Sequence, residues 1–153
     1  MSPISFTLRA FEDLSVRELY RLLHLRVEVF IVEQDCPYQD LDGLDEVALH
    51  LLGHDEEGAL VACARLLPVG IAYPEHAAIG RVITARSVRG RGVGAVLMEE
   101  AIRQARGLWG EAVPIRIGAQ DYAIPFYRKL GFEPAGESYL EDGIPHTPMN
   151  LGG

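Results

Sequence analysis

The spacing of apolar positions changes several times along the chain, and each change marks an element. Residues 4–11, "ISFTLRAF", alternate enough to predict a first strand. Residues 15–33, "SVRELYRLLHLRVEVFIVE", switch to helical spacing, with Val16, Leu19, Leu23, Val27 and Phe30 recurring on one face. Ser15 followed three residues later by Glu18 predicts a capping box at the start of that helix. "QDCPYQDLDGLDE", residues 34–46, breaks the pattern and reads as a loop. Two strand-like runs follow, "VALHLLGH" and "ALVACARLL", joined by the turn-like "DEEG". A third, "AAIGRVIT" at residues 77–84, runs straight into a glycine-rich segment.

Beyond the glycines, "VGAVLMEEAIRQARGLW" predicts a helix from about Val93, with Val96, Leu97, Ala101, Ile102 and Ala105 as its apolar set. "VPIRIGAQ" predicts a strand and "AIPFYRKLGF" a short helix stopped by Gly131. The tail, residues 132–151, predicts one or two last strands around the turn "EDG". Three helices intermixed with about six or seven strands give an α/β or α+β sandwich, a sheet covered by helices. No repeat, linker or low-complexity tract interrupts the chain, so residues 1–153 are read as one domain.

Composition narrows the classes. With 48 % hydrophobic and 24 % charged residues the chain has the make-up of a globular protein with a real core. A formal net charge of −8 argues against non-specific nucleic-acid binding, which needs many Lys/Arg contacts to phosphate. The start, "MSPISFTLRAFED", lacks the charged and apolar regions of a secretory signal, and no apolar run reaches bilayer length. The expected location is cytoplasmic, without a membrane partner. Cys36 and Cys63 are far apart and outside any metal-ligand pattern. Two reduced thiols are expected there ahead of a disulfide.

Against this acidic background one segment stands apart. "RVITARSVRGRGVG", residues 81–94, carries Arg81, Arg86, Arg89 and Arg91 with no carboxylate, and glycines at 90, 92 and 94. It lies between a predicted strand and a predicted helix. A helix N-terminus presents unpaired N–H groups and a partial positive charge, and glycines let an anion approach the backbone closely. Arginines would add charge-assisted contacts. The segment therefore predicts a pyrophosphate cradle. It lacks the Gly-Lys-Ser/Thr ending of a Walker loop and sits mid-chain, unlike a Rossmann fingerprint.

"RSVRGRGVGAVLMEEAI" is similar to the acetyl-CoA-binding motif of the GNAT superfamily of N-acetyltransferases, Arg/Gln-x-x-Gly-x-Gly/Ala, with Arg89, Gly92 and Gly94 at the matching positions. "IPFYRKLGFEPAG" resembles that superfamily's second signature. The flanks "LRVEVFIVEQDCPYQDLDGLDEVALHL" and "YLEDGIPHTPM" resemble its ElaA-like branch, so the likeness spans nearly the full length. One departure is Arg86, where the superfamily often has proline. The resemblance implies a central mixed, mostly antiparallel twisted sheet flanked by helices.

The same resemblance implies chemistry. Acetyl-CoA would be the cosubstrate and a primary amine of a small molecule or peptide the acceptor, with direct attack on the thioester and no metal. Backbone N–H groups of Arg89, Gly90, Arg91, Gly92, Val93 and Gly94 would take the pyrophosphate, and Val82, Ile83 and Thr84 would pair with the pantetheine arm. Tyr127 matches the tyrosine that protonates the leaving thiolate. No carboxylate lies on the 77–84 strand, so the base is left among Glu33, His50 and His146, each able to act through water. Alternation along "VALHLLGH" puts His50 with Leu52 on one face, where a histidine can equally be a hydrogen-bonded core residue.

The acidic loop, with five carboxylates from Asp35 to Glu46, reads equally as a surface for a cationic amine or as a solvated face. Three other readings stand beside the enzyme. A non-catalytic acyl-CoA-binding module on the same fold would need neither Tyr127 nor a base. "LRVEVFIVEQ" also carries a faint likeness to acyl-homoserine-lactone synthases. A metal hydrolase on His50, His54 and His146 has no ligand spacing to support it. Monomer and homodimer are both left open.

Overall fold

The structure, a computed structural model, describes residues 3–153. Its core is one eight-stranded sheet in which β1 (Ser5–Ala10), β2 (Leu49–His54), β3 (Leu60–Leu67) and β4 (Ala77–Thr84) form an antiparallel meander. β5 (Ile115–Gln120) lies parallel to β4, and β8 (Ile144–Leu151) lies antiparallel to β5. The spatial order is β1-β2-β3-β4-β5-β8-β6, where β6 is Glu133–Pro134, and β7 (Tyr139–Glu141) also pairs with β8. The strand count exceeds the six or seven expected because β6 and β7 have only two and three residues, too few to show alternation.

The connection between the parallel pair is α2 (Val93–Trp109), the crossover helix that parallel neighbours require. It lies on one face of the sheet, where Leu97, Met98 and Ala101 pack with Leu51, Leu66, Ile79 and Met149. α3 (Ile124–Lys129) brings Phe126 and Tyr127 to the same face. The opposite face is covered by α1 (Val16–Arg26), whose Leu22 and Leu25 pack with Leu52, Cys63 and Ile83. Leu51 and Leu52 thus serve opposite cores, as strand alternation demands. Truncating a fully buried residue such as Leu97 to alanine would cost about 2–5 kcal/mol.

The capping box at Ser15 and Glu18 is present, each side chain bonded to the other's backbone N–H. The helix it starts differs from expectation in two ways. Its buried face is Leu22, Leu25 and Val29, while Val16 is 88 % exposed and Val27 is exposed. The segment carries two apolar stripes at helical spacing, and the docked one is set by Arg26, which must point inward to the loop carboxylates described below. Past Arg26 the α-helix also widens into a π-helical stretch, Val27–Glu33. That change of period re-aims its last turns, and Glu33 ends in the cleft between β4 and β5.

Candidate active site

β4 and β5 are held together only at their starts, where Ala77 faces Ile115 and Ala78 faces Arg116. From Ile79 onward the strands part, so the facing edge of β4 has no strand to bond. On its other edge the register with β3 slips between Cys63 and Arg65, opposite Arg81, whose φ is +48°. A bulge at that point twists the strand and turns its backbone toward the opening. The parting leaves a cleft of ≈ 950 Å³ lined by both strands, the end of the π-helical segment, α3 and the β7–β8 hairpin. Val82, Ile83, Thr84, Arg89, Glu33, Tyr127 and His146 all line it.

Arg86 and Arg89, just before the glycines, also line the cleft. Gly90 and Gly92 adopt left-handed φ values of +80° and +75°, a region that a Cβ disfavours, and Gly92 is the N-cap of α2. Gly94 differs: it is helical, and a Cβ there would meet Phe126 at an ordinary 3.6 Å. The first turn of α2 has no side-chain cap and no acidic residue. Its first N–H groups, at Val93, Gly94 and Ala95, precede the first helical bond, from Val96 N–H to the Gly92 carbonyl at 3.3 Å. The residues present therefore fit an anion such as a pyrophosphate.

The four arginines do not all serve that cradle. Arg89 donates to the Thr84 carbonyl through Nε and Nη2 at 3.2 and 3.0 Å, and its Nη1 lies 2.6 Å from Glu33 Oε1. Arg81 is held by loop carboxylates. Arg86 and Arg91 are exposed and make no ion pair among the described residues. Arg86 sits in a tight turn, Arg86–Val88, in place of the more usual proline.

Tyr127 stands on α3 edge-on to Phe126 and Phe132, at centroid distances of 5.1 and 6.0 Å. Burial pushes its phenol up to about 12, so it stays protonated across the physiological range. A protonated phenol at the cleft can donate and cannot act as a base. His146, 7 % exposed at the start of β8, is fixed by Nδ1, 2.7 Å from the Ile144 carbonyl. A carbonyl only accepts, so Nδ1 carries a proton and Nε2 is the ring nitrogen left for other partners. Nε2 lies 3.7 Å from Glu141, and the ring stacks on Tyr139 at 5.8 Å.

The other two base candidates are placed differently. Glu33 lies in the cleft, but its carboxylate is engaged by Arg89. His50 does not line the cleft: it is buried, with Nε2 2.9 Å from the Asp45 carbonyl and its ring near Phe11. Burial holds it below the ordinary histidine value and thus neutral. The alternation expected for β2 is right, and the position it gives is a core position.

The acidic loop divides: Asp35 and Glu46 are exposed, as on a solvated face, whereas its other three carboxylates meet arginines. Asp40 and Asp45 are buried, joined with Asp42 to three arginines from α1, β3 and β4. Arg26, 1 % exposed, bonds Asp40 Oδ2 at 2.9 Å and Asp45 Oδ1 at 2.8 Å. Arg65 grips both oxygens of Asp42 at 2.8 Å and reaches Asp45 Oδ1 at 3.1 Å. Burial raises the Asp42 carboxyl, but the Arg65 fork, the Leu44 N–H and the neighbouring charges outweigh it and hold it at about 2. Pairing with Arg26 and Arg65 likewise outweighs burial at Asp45 and lowers its carboxyl. The signal was the arginine inside an apolar helix stripe, which a buried position requires to be paired.

Two aromatic residues reach the cleft without a role predicted for them. Tyr38 lies under the Arg81 guanidinium at 5.9 Å, and Tyr139 lays its hydroxyl 2.6 Å from where a Cβ on Gly118 would sit. Nothing in their local spacing marks them, because the hairpin and the loop reach the cleft only through the fold. Cys36 is free and donates through Sγ to the Asp142 carbonyl at 3.3 Å, tying the same two segments together. Among the described residues no group of three or more His, Cys, Asp or Glu could hold a metal ion, and no helix is long and apolar enough to cross a membrane.

Comparison with known proteins points the same way as the geometry. Residues 16–152 match the model of the acetyltransferase (GNAT) domain. The chain is 45 % identical over 139 residues to protein ElaA of Escherichia coli, covering 90 % of this chain and 89 % of that one. A UPF0039 protein of Schizosaccharomyces pombe is 38 % identical over 151 residues, 99 % of each chain. An acyl-CoA N-acyltransferase from Pseudomonas aeruginosa superposes with a TM-score of 0.90 at 41 % identity, covering 97 % and 99 % of the two chains.

Proposed function

The chain belongs to the acetyltransferase (GNAT) domain family and is an acetyl-CoA-dependent acyltransferase, and on that premise we propose that it acetylates a primary amine held in the cleft between β4 and β5. One observation carries this reading. The unpaired edge of β4 runs directly into the glycine-formed N-terminus of α2, with Tyr127 lining the same opening.

Each part of the chain then has a task. N–H groups from Arg89 to Gly94 receive the pyrophosphate, helped by the positive end of a 17-residue helix. The free edge of Val82, Ile83 and Thr84 bonds the extended arm as an added strand would. The Arg89 side chain has a different task from its backbone N–H. It staples Glu33 to the end of β4 and so fixes where the strand stops and the cradle begins.

Acetyl-CoA supplies the thioester carbonyl: the amine nitrogen forms the new C–N bond as the C–S bond breaks. An acceptor arriving as an ammonium loses one proton before attack, and His146 Nε2, with Nδ1 held by the Ile144 carbonyl, takes it directly or through water. The departing sulfur takes up a proton from the Tyr127 hydroxyl, which is held neutral by its apolar surroundings, and the second proton lost by nitrogen as the amide forms restores that hydroxyl through water. A phenol at about 12 is a reluctant acid toward water, but a thiolate released in a poorly solvated cleft is a stronger base than in water.

The test is calorimetric titration with acetyl-CoA followed by thiol-release assays over a panel of primary amines. Saturable binding with amine-dependent thiol release supports the reading. Binding without release for any amine would leave an acyl-CoA-binding module, and no binding would overturn the cradle itself.

A further inference from the structure

The bulge in β4 presents a problem that the acidic loop solves. Arg81 is a non-glycine residue at φ +48°, a conformation L-residues avoid because the Cβ crowds the backbone. Left to itself the residue would return to extended geometry, straightening the strand edge that faces the cleft. Its side chain is prevented from following. Nη2 donates to the Asp40 carbonyl at 3.0 Å, and Nε lies 2.8 Å from Asp40 Oδ1 as an ion pair, off the line of the N–H bond. Nη2 also lies 3.4 Å from Asp42 Oδ2, and the guanidinium sits over Tyr38.

Asp40 is itself immobile. Its other oxygen is bonded by Arg26 Nε, its carbonyl accepts from Arg26 Nη2 at 3.2 Å, and it is buried. Asp42, in turn, is gripped by Arg65 on β3. The loop therefore anchors Arg81 to two neighbouring elements at once, α1 and β3.

We infer that Asp40 and Arg81 are positioning residues, a side-chain clamp that holds the β4 bulge in its left-handed turn and so aims the Val82–Thr84 edge at the acyl donor. Neither acts on the reacting atoms. Asp40 does not line the cleft; Arg81 does, but its Nη2 donates to the Asp40 carbonyl and its Nε is ion-paired with the Asp40 carboxylate. This inference rests on the acyltransferase reading, and it separates two roles that a cleft-lining arginine could have, a charge for substrate and a holder of backbone shape.

The discriminating pair is Arg81→Gly against Arg81→Ala. Both remove the charge, but glycine takes positive φ without a steric penalty whereas alanine does not. Expected is a fall of about tenfold or more in kcat for Arg81→Ala, with Arg81→Gly at least about threefold more active than Arg81→Ala. Asp40→Asn should resemble Arg81→Ala in kcat, and adding Arg81→Gly to it should recover part of the loss. The Val82 and Ile83 amide resonances report the bulge directly. They should move in Arg81→Ala and Asp40→Asn and stay near wild-type positions in Arg81→Gly.

Equal loss in Arg81→Gly and Arg81→Ala, with both folded and the amides unmoved, would overturn the clamp and make the guanidinium itself functional. Wild-type activity in Arg81→Ala would overturn it too, since the β3 register would then hold the bulge alone. If the wild type transfers no acetyl group to any amine, the enzyme reading fails, while the amide resonances still decide whether Arg81 and Asp40 shape the strand.

Discussion

The two ends of the cleft are built on different principles. At the α2 end the groups on offer are backbone N–H donors at a turn shaped by Gly90 and Gly92, residues two apart in the chain, which the proposed function gives to the pyrophosphate. At the opposite end the working surface comes from side chains far apart in sequence, with Tyr38, Tyr127, Tyr139 and His146 converging from a loop, a helix and a hairpin. The first needs particular backbone angles and is compact in sequence. The second needs a fold to assemble it, and its electrostatics are set by a cluster in which three arginines neutralise three aspartates. A backbone site tolerates changes of side chain but not of conformation; the side-chain site has the reverse sensitivity.

That contrast is open to attack, most strongly at Gly92. Gly92→Asp adds a Cβ at φ +75° and a carboxylate at the helix N-terminus, and acetyl-CoA affinity by calorimetry should fall by about 100-fold or more. Gly94→Ala, whose Cβ meets Phe126 at 3.6 Å, should bind within about threefold of wild type. Equal damage from the two would refute a conformational role for the cradle.

At the side-chain end, Tyr127→Phe should lower kcat by about 100-fold with acetyl-CoA affinity unchanged. Because burial holds this phenol at about 12, the wild-type rate should show no loss from its ionisation as pH rises to 10. A basic limb centred near pH 9 in the wild type that is missing from Tyr127→Phe would contradict the assignment.

The ion cluster has a signature in acid. Asp42 falls from 3.8 to about 2 in the folded protein, so its contribution is complete above the unfolded value and disappears as pH drops from about 4 to about 2. Stability measured by urea unfolding should decline over that window by no more than about 1 kcal/mol for this carboxyl, because solvent screens a partly exposed pair. Asp42→Asn should flatten the decline, and an unchanged slope would place the pH sensitivity elsewhere. The smallest effect is at the surface: Ser15→Ala removes one half of the capping box, costs about 1 kcal/mol in the same assay and leaves turnover alone.

Local physics made much of the fold legible. Ser15 and Glu18, the glycine turn before α2 and the turn at Asp142–Gly143 act over a few residues and are found where their spacing puts them. The misread face of α1 is instructive. Val16, Leu19, Leu23 and Val27 are as periodic as Leu22, Leu25 and Val29, so periodicity alone does not choose between the stripes. Arg26 chooses, because its charge can be buried only where Asp40 and Asp45 meet it.

By itself, then, the sequence determined the order and type of the main elements, the glycine turn that starts α2 and the family resemblance, since each is written in residues close together. Only the tertiary structure decided that Asp40 and Asp45 are buried against arginines, that Arg89 binds Glu33 and Thr84, and that His146 lines the cleft while His50 does not. Those outcomes depend on which charges become neighbours across fourteen to fifty-six residues of chain, as in the Arg26–Asp40 and Glu33–Arg89 pairs. A charge leaves water only where a partner waits, and spacing along a chain does not say where that is.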